Sequence, residues 1–211
     1  MIYSDEFVWL HFPKCAGAKV EKLFRTYYSF DKRIFQDAIY PIADPQATWH
    51  DSILDRETRD PRFTLGNRII ICSFRRLPGW LASRYSFEVQ RNPQLSHRPE
   101  LLLEGKFLES TGHPNHADFY AEKYVPEAIL DLDKIRFLRT EYFEHDFKRI
   151  FGEFLDVTII PDWEFREKYN VSVNAVPSKI REKLFKKGLF HGLENVYETC
   201  PYWKKVEKVV Y

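Results

Sequence analysis

A chain of 211 residues with 44% hydrophobic and 17% aromatic content can bury a substantial core, and one α/β domain spanning 1–211 is the simplest expectation. Its 32 basic and 31 acidic residues leave a formal charge of +1, which excludes a broad nucleic-acid surface and confines any positive site to a local patch. No apolar run approaches the roughly 18 residues of a membrane span, and no basic-then-apolar signal segment precedes Phe7. Three cysteines, Cys15, Cys72 and Cys200, lack CxxC spacing; they fit a reducing, cytoplasmic setting and argue against structural zinc.

Phe7 to Phe12 read as a buried strand, and Val20, Leu23, Phe24, Tyr27 and Tyr28 repeat on one face of a helix that follows. Between them, Pro13, Lys14, Cys15, Ala16, Gly17, Ala18 and Lys19 form a small-residue turn at a helix N-terminus. There the first amides lack intrahelical partners and the helix dipole is positive, which favours phosphate or sulfate. Ala16, Gly17 and Ala18 allow close backbone approach, and Lys14 adds a cation beside the turn. The turn is not GxxxxGK[ST], because Lys14 precedes the glycine.

Residues 31 to 66 follow, with IFQDAIYPI as a strand candidate and ADPQATWHDSILDRETRDP as a polar turn and short helix. RIIICSF, Arg68 to Phe74, is a second apolar strand. It runs into RRLPGWLASRYSFE, where Pro78 suits a first helical turn and Leu77, Leu81 and Tyr85 supply a buried stripe. Residues 91–118, rich in Pro, His, Asn and Gly around ELLLEGKFL, read as an irregular insertion. Phe143, Phe147, Ile150, Phe151 and Phe154 then have core spacing on a late helix. Alternating strands and helices favour a three-layer parallel sheet with helices on both faces, ligands lying beyond the strand carboxyl ends, where Lys14 and Arg75 both fall.

HFPKCAGAKV, with its lysine at the strand end before the turn, resembles the 5′-phosphosulfate loop of sulfotransferases. The spacing from Arg75 to Ser83, followed by Tyr85, resembles their 3′-phosphate motif. FLRTEYFEHDFKRIFGEF, YNVS at Tyr169 to Ser172, the helix beginning at Ser178 and LENVYETCPYW are similar to the carbohydrate-type and bacterial branch, so the likeness runs patchily over nearly the whole chain. The resemblance implies a P-loop-like nucleotide-binding core and 3′-phosphoadenosine-5′-phosphosulfate (PAPS) as donor, leaving 3′,5′-adenosine bisphosphate. It implies Lys14 at the leaving oxygen, Pro13 to Lys19 around the phosphosulfate, and Arg75 and Ser83 on the 3′-phosphate.

The resemblance implies a hydroxyl or amine acceptor, on a carbohydrate or another small molecule, and puts His50 in ATWHDS at the position of the base; by its local sequence it reads equally as a loop histidine or part of a short helix's N-terminal cap region. Asp51 orients that ring or caps a helix; Asp55 and Glu57 are alternative carboxylate bases. His113 and His116 are candidates to line an acceptor pocket or to mimic a metal pair, but two histidines without a third ligand are more often neither, so no metal is expected. The chain departs from the pattern where Ala16, Ala18 and Lys19 replace loop hydroxyls, where Pro78 stands one residue late, and where Trp80 replaces an arginine. Two other readings stay open: a non-catalytic nucleotide-binding relative, and a small-molecule or nucleotide kinase.

Overall fold

The computed structural model describes residues 1–37, 48–168, 174–185 and 196–211. Its strands are β1 (Ile2–Tyr3), β2 (Phe7–Leu10), β3 (Phe35–Gln36), β4 (Ile69–Phe74), β5 (Lys106–Leu108), β6 (Pro114–His116) and β7 (Ile135–Arg139). Its α-helices are α1 (Gly17–Tyr27), α2 (Ile53–Arg59), α3 (Leu77–Arg91), α4 (Ala117–Tyr124), α5 (Glu127–Leu130), α6 (Phe143–Phe151), α7 (Asp162–Arg166), α8 (Ser178–Phe185), α9 (Val196–Thr199) and α10 (Pro201–Val210). The chain divides into two compact units, Met1–Phe74 with Glu127–Asn170, and Arg75–Pro126 with Val171–Tyr211.

The first unit is built on a five-stranded sheet of order β3-β1-β2-β4-β7. Strands β2, β4 and β7 run parallel, pairing Trp9 with Ile71 and Cys72 with Phe137, but β1 is antiparallel to both β2 and β3. The expected all-parallel sheet is therefore mixed. Only Ser4, Asp5 and Glu6 separate β1 from β2, and so short a connection can join only antiparallel neighbours. Ser4 Oγ accepts from the amides of Glu6 (3.1 Å) and Phe7 (3.3 Å) and locks that turn. Of the strand expected in IFQDAIYPI, Phe35–Gln36 is β3; residues 38–42 lie outside the described residues.

All four β2 side chains are buried, as both-face burial of a central strand requires. Phe7 and Trp9 face α1 and α6 in one aromatic core: the Phe7 ring meets Phe151 at 5.6 Å, Phe24 meets Phe151 at 5.1 Å, and Phe147 meets Phe151 at 4.6 Å. Each such buried side chain contributes roughly 1.5–3 kcal/mol of transfer free energy. This core fixes α1 on β2, and so fixes the turn between them.

In the second unit, Leu77, Trp80, Leu81 and Tyr85 are the buried face of α3. Trp80 stands where the resembled motif carries an arginine. It packs on Trp203 (4.7 Å), Tyr120 (5.3 Å) and Phe107 (5.8 Å), so it belongs to the core. The stretch read as an irregular insertion holds a 3₁₀ helix, Pro99–Glu104, and the β5–β6 hairpin. Among the described residues no helix is long and apolar enough to cross a membrane.

Candidate anion site

Strand β2 ends at Leu10 and α1 begins at Gly17, so six residues make the turn. Two of them, Lys14 (φ 66°) and Ala16 (φ 62°), adopt the left-handed conformation. An L-residue there costs about 1–2 kcal/mol, and two within three positions mean that the surroundings hold this backbone. Pro13 and Cys15 are buried beneath it, and the Cys15 amide donates to the Phe12 carbonyl at 3.3 Å. A left-handed residue followed by a helical one turns successive N–H groups into one concavity, a nest suited to an anion. Ala16 and Gly17 are such a pair. Neither a side-chain cap nor an acidic first-turn residue neutralises this end of α1.

His11 lies against the turn. Its ring occupies the space a side chain on Gly17 would need: a Cβ there would fall 1.9 Å from Nε2. The other ring nitrogen, Nδ1, is 3.0 Å from Glu21 Oε1, one helical turn beyond Gly17, and both side chains are buried. A carboxylate partner fixes the proton on Nδ1 of the neutral ring. Burial holds the His11 pKa below its ordinary value, against the pull of Glu21, with the Met1 amine and Lys14 adding to the lowering. His50 stacks on His11 with centroids 4.3 Å apart, and Trp49 meets the His50 ring edge-on at 4.1 Å. The structure thus brings His50 to a ring that touches the anion turn.

Other predicted residues are engaged elsewhere. The Lys19 ammonium donates to the carbonyls of Phe165 and Glu167 (3.0 Å to the latter) and lies 5.0 Å from the Phe143 ring centroid; burial lowers its pKa. Asp55 forms a capping box with Ser52 at the start of α2, and Glu57 accepts from the Leu65 amide at 3.0 Å. Asp51 is not the N-cap of α2, which is Ser52. Asp51 is buried between Arg56 (3.5 Å) and Arg59 (3.4 Å), and burial raises its pKa despite both cations. Arg56 also pairs with Asp37, which holds the Met1 amine at 2.9 Å.

In the second unit, the Arg75 side chain folds over the first turn of α3: a Cβ on Gly79 would sit 3.1 Å from its Nε. Ser83 is four residues past Gly79 on that helix face, so Arg75 and Ser83 share one side of α3. The helix start itself is occupied. The Leu77 amide donates to Glu207 Oε2 at 3.0 Å, while Glu207 Oε1 accepts from Tyr197 (2.8 Å) and pairs with Arg76 (3.2 Å). Burial raises the Glu207 pKa, opposed by these bonds.

His116, Asp118 and Cys200 offer ligand atoms within 4.8 Å of one another. Each has a structural task. His116 Nδ1 accepts the Asp118 amide (3.1 Å), the Asp118 carboxylate accepts the Tyr202 (3.0 Å) and Trp203 (2.7 Å) amides at the start of α10, and burial pushes the Cys200 thiol up to about 12. His113 contributes its carbonyl to the Glu109 amide at 2.9 Å.

Sequence reading did not assign His11, Glu21 or Glu207. A signal for Glu21 existed: it is a carboxylate beside Val20, Leu23 and Phe24 in an apolar stripe, four residues after the loop glycine. Glu207 sits in KKVEKVV and carries no local cue to a helix start 130 residues earlier. Comparisons of the chain with protein-family models, curated proteins and solved structures give no match.

Proposed function

We propose that the chain is a PAPS-dependent sulfotransferase with a P-loop-like core, moving a sulfuryl group to a hydroxyl or amine, with carbohydrates the leading acceptor class. The observation that carries this reading is the left-handed, uncapped turn Lys14–Gly17 at the carboxyl end of β2. In it the first amides of α1 hold the phosphosulfate anion, and the Lys14 ammonium stabilises charge growing on the phosphate oxygen as its bond to sulfur breaks. His50 takes the acceptor's proton as the new sulfur–oxygen bond forms. Arg75 and Ser83 take the 3′-phosphate by their motif spacing and their common face on α3. Three buried cysteines without CxxC spacing fit a cytoplasmic setting.

A second reading, a nucleotide binder without turnover, is favoured by one observation. Ala16 and Ala18 bring no hydroxyl to the turn, and Lys19 is held by the carbonyls of Phe165 and Glu167. Thermal unfolding with 3′,5′-adenosine bisphosphate and with ADP tests the binding half. At about 100 times the dissociation constant the bisphosphate stabilises by roughly 2.7 kcal/mol, and ADP does so only at far higher concentration. Equal effects of the two nucleotides remove the sulfotransferase reading. Release of bisphosphate from labelled PAPS with a saccharide panel separates enzyme from binder.

A further inference from the structure

We infer that His11, held by Glu21, is a positioning residue that sets the anion turn and His50 as one unit; in naming His50 this rests on the reading above. Three contacts define it. The ring edge fills the vacancy at Gly17, the first residue of α1. Nδ1 is tied to Glu21 at 3.0 Å, so the same ring is joined to α1 at two successive turns. One ring face carries His50 at 4.3 Å and 30°, and Trp9 lies 5.3 Å away at the same interplanar angle.

A buried imidazole with its nitrogen bonded and its faces packed has no rotamer freedom left, so it transmits position. Shift it, and the first turn of α1 and the His50 ring both move. Gly17 is the other half of the device: only a residue without Cβ lets the ring come this close to the helix start. Charge acts along the same line. Glu21 is the carboxylate bonded to His11; Lys14 and the Met1 amine are the cations felt there, and burial keeps the imidazole neutral between them.

The test uses the full chain, with pyrophosphate and 3′,5′-adenosine bisphosphate as probes, and reads calorimetric affinity together with histidine NMR. In the wild type, pyrophosphate shifts the ring resonances of both His11 and His50; no shift of either overturns the inference without any variant. Glu21→Gln keeps a hydrogen-bonding partner but removes the negative charge. It moves the His50 ring resonances and weakens pyrophosphate binding about tenfold, the scale of one broken coupling. His11→Ala weakens binding at least as much, and the double variant adds little to it, because the two residues act as one.

Wild-type affinity and unmoved His50 ring resonances in both single variants make His11 a packing residue only and overturn the inference. The two readings fail separately. If pyrophosphate binding follows Glu21 while the wild type does not prefer the bisphosphate to ADP, the positioning role stands and the sulfotransferase reading falls. If the bisphosphate is preferred but indifferent to Glu21, the reverse holds.

Discussion

At the start of α1 no side chain caps the helix and two left-handed residues curl the turn, whereas at the start of α3 the Leu77 amide already donates to the Glu207 carboxylate. Both turns follow a buried strand of the same sheet, and both bring a basic residue. The difference is where the negative charge comes from. At α3 the chain supplies its own carboxylate, so under the proposed function recognition of a phosphate after β4 would fall to side chains, Arg75 and Ser83. At α1 no side chain among the described residues caps the helix and its first turn holds no acidic residue, which is the condition for an anion from outside.

The comparison breaks most visibly at Lys14. Under the proposed activity, Lys14→Ala lowers turnover of labelled PAPS at least about a hundredfold, the scale of losing one transition-state donor, with thermal unfolding unchanged; wild-type turnover would show that the turn is not catalytic. Next is Gly17→Ala. Its methyl would meet the His11 ring, so urea unfolding shows a loss of about 2 kcal/mol, as for overpacking, and His11→Ala in the same chain recovers part of it. Substitution at Gly79 has milder steric consequences, since its nearest neighbour is the mobile Arg75 side chain.

Glu207→Ala strips the cap of α3 and costs about 1.5 kcal/mol. Sulfate then stabilises this variant more than the wild type, because a second helix start has become available; an unchanged sulfate response would mean that the carboxylate is not standing in for an anion.

A pH slope comes from His11, which burial holds below the ordinary histidine value of 6.5. The unfolded chain takes the proton first as pH falls, so this stabilisation is present above pH 6.5 and lost below it. The slope is at most about 1.4 kcal/mol per pH unit. His11→Gln flattens that part of a stability-against-pH curve, and an unflattened curve would assign the slope elsewhere. The smallest effect is at Ala16. Ala16→Gly relieves the left-handed strain, less the added freedom of the unfolded chain, for a gain under about 1 kcal/mol; a loss would mean that the methyl packs.

Much of the scaffold was readable because it is written in local periodicity. The apolar runs at Phe7 and Ile69 are β2 and β4, and Val20, Leu23 and Phe24 are the buried face of α1. Pro78 stands in the first turn of α3, and Ser178 begins α8. β1 was missed because two residues show no alternation. Trp80 was weighed as a departure from a binding motif, yet its indole is core, a distinction that depends on Trp203 far along the chain. Tyr169 to Ser172, quoted for the family resemblance, lie outside the described residues.

By itself the sequence determined where strands end and helices begin, and so that a small-residue turn with a lysine stands at a helix start; hydrophobic periodicity and turn chemistry act between near neighbours. Which helix start is open was decided only in three dimensions. Glu207 reaches Leu77 across 130 residues, Lys19 is drawn to Phe165 and Glu167, and His11 sits on Gly17 with its proton set by Glu21. A buried polar group must find a partner wherever the fold brings one, and that search runs through space, not along the chain.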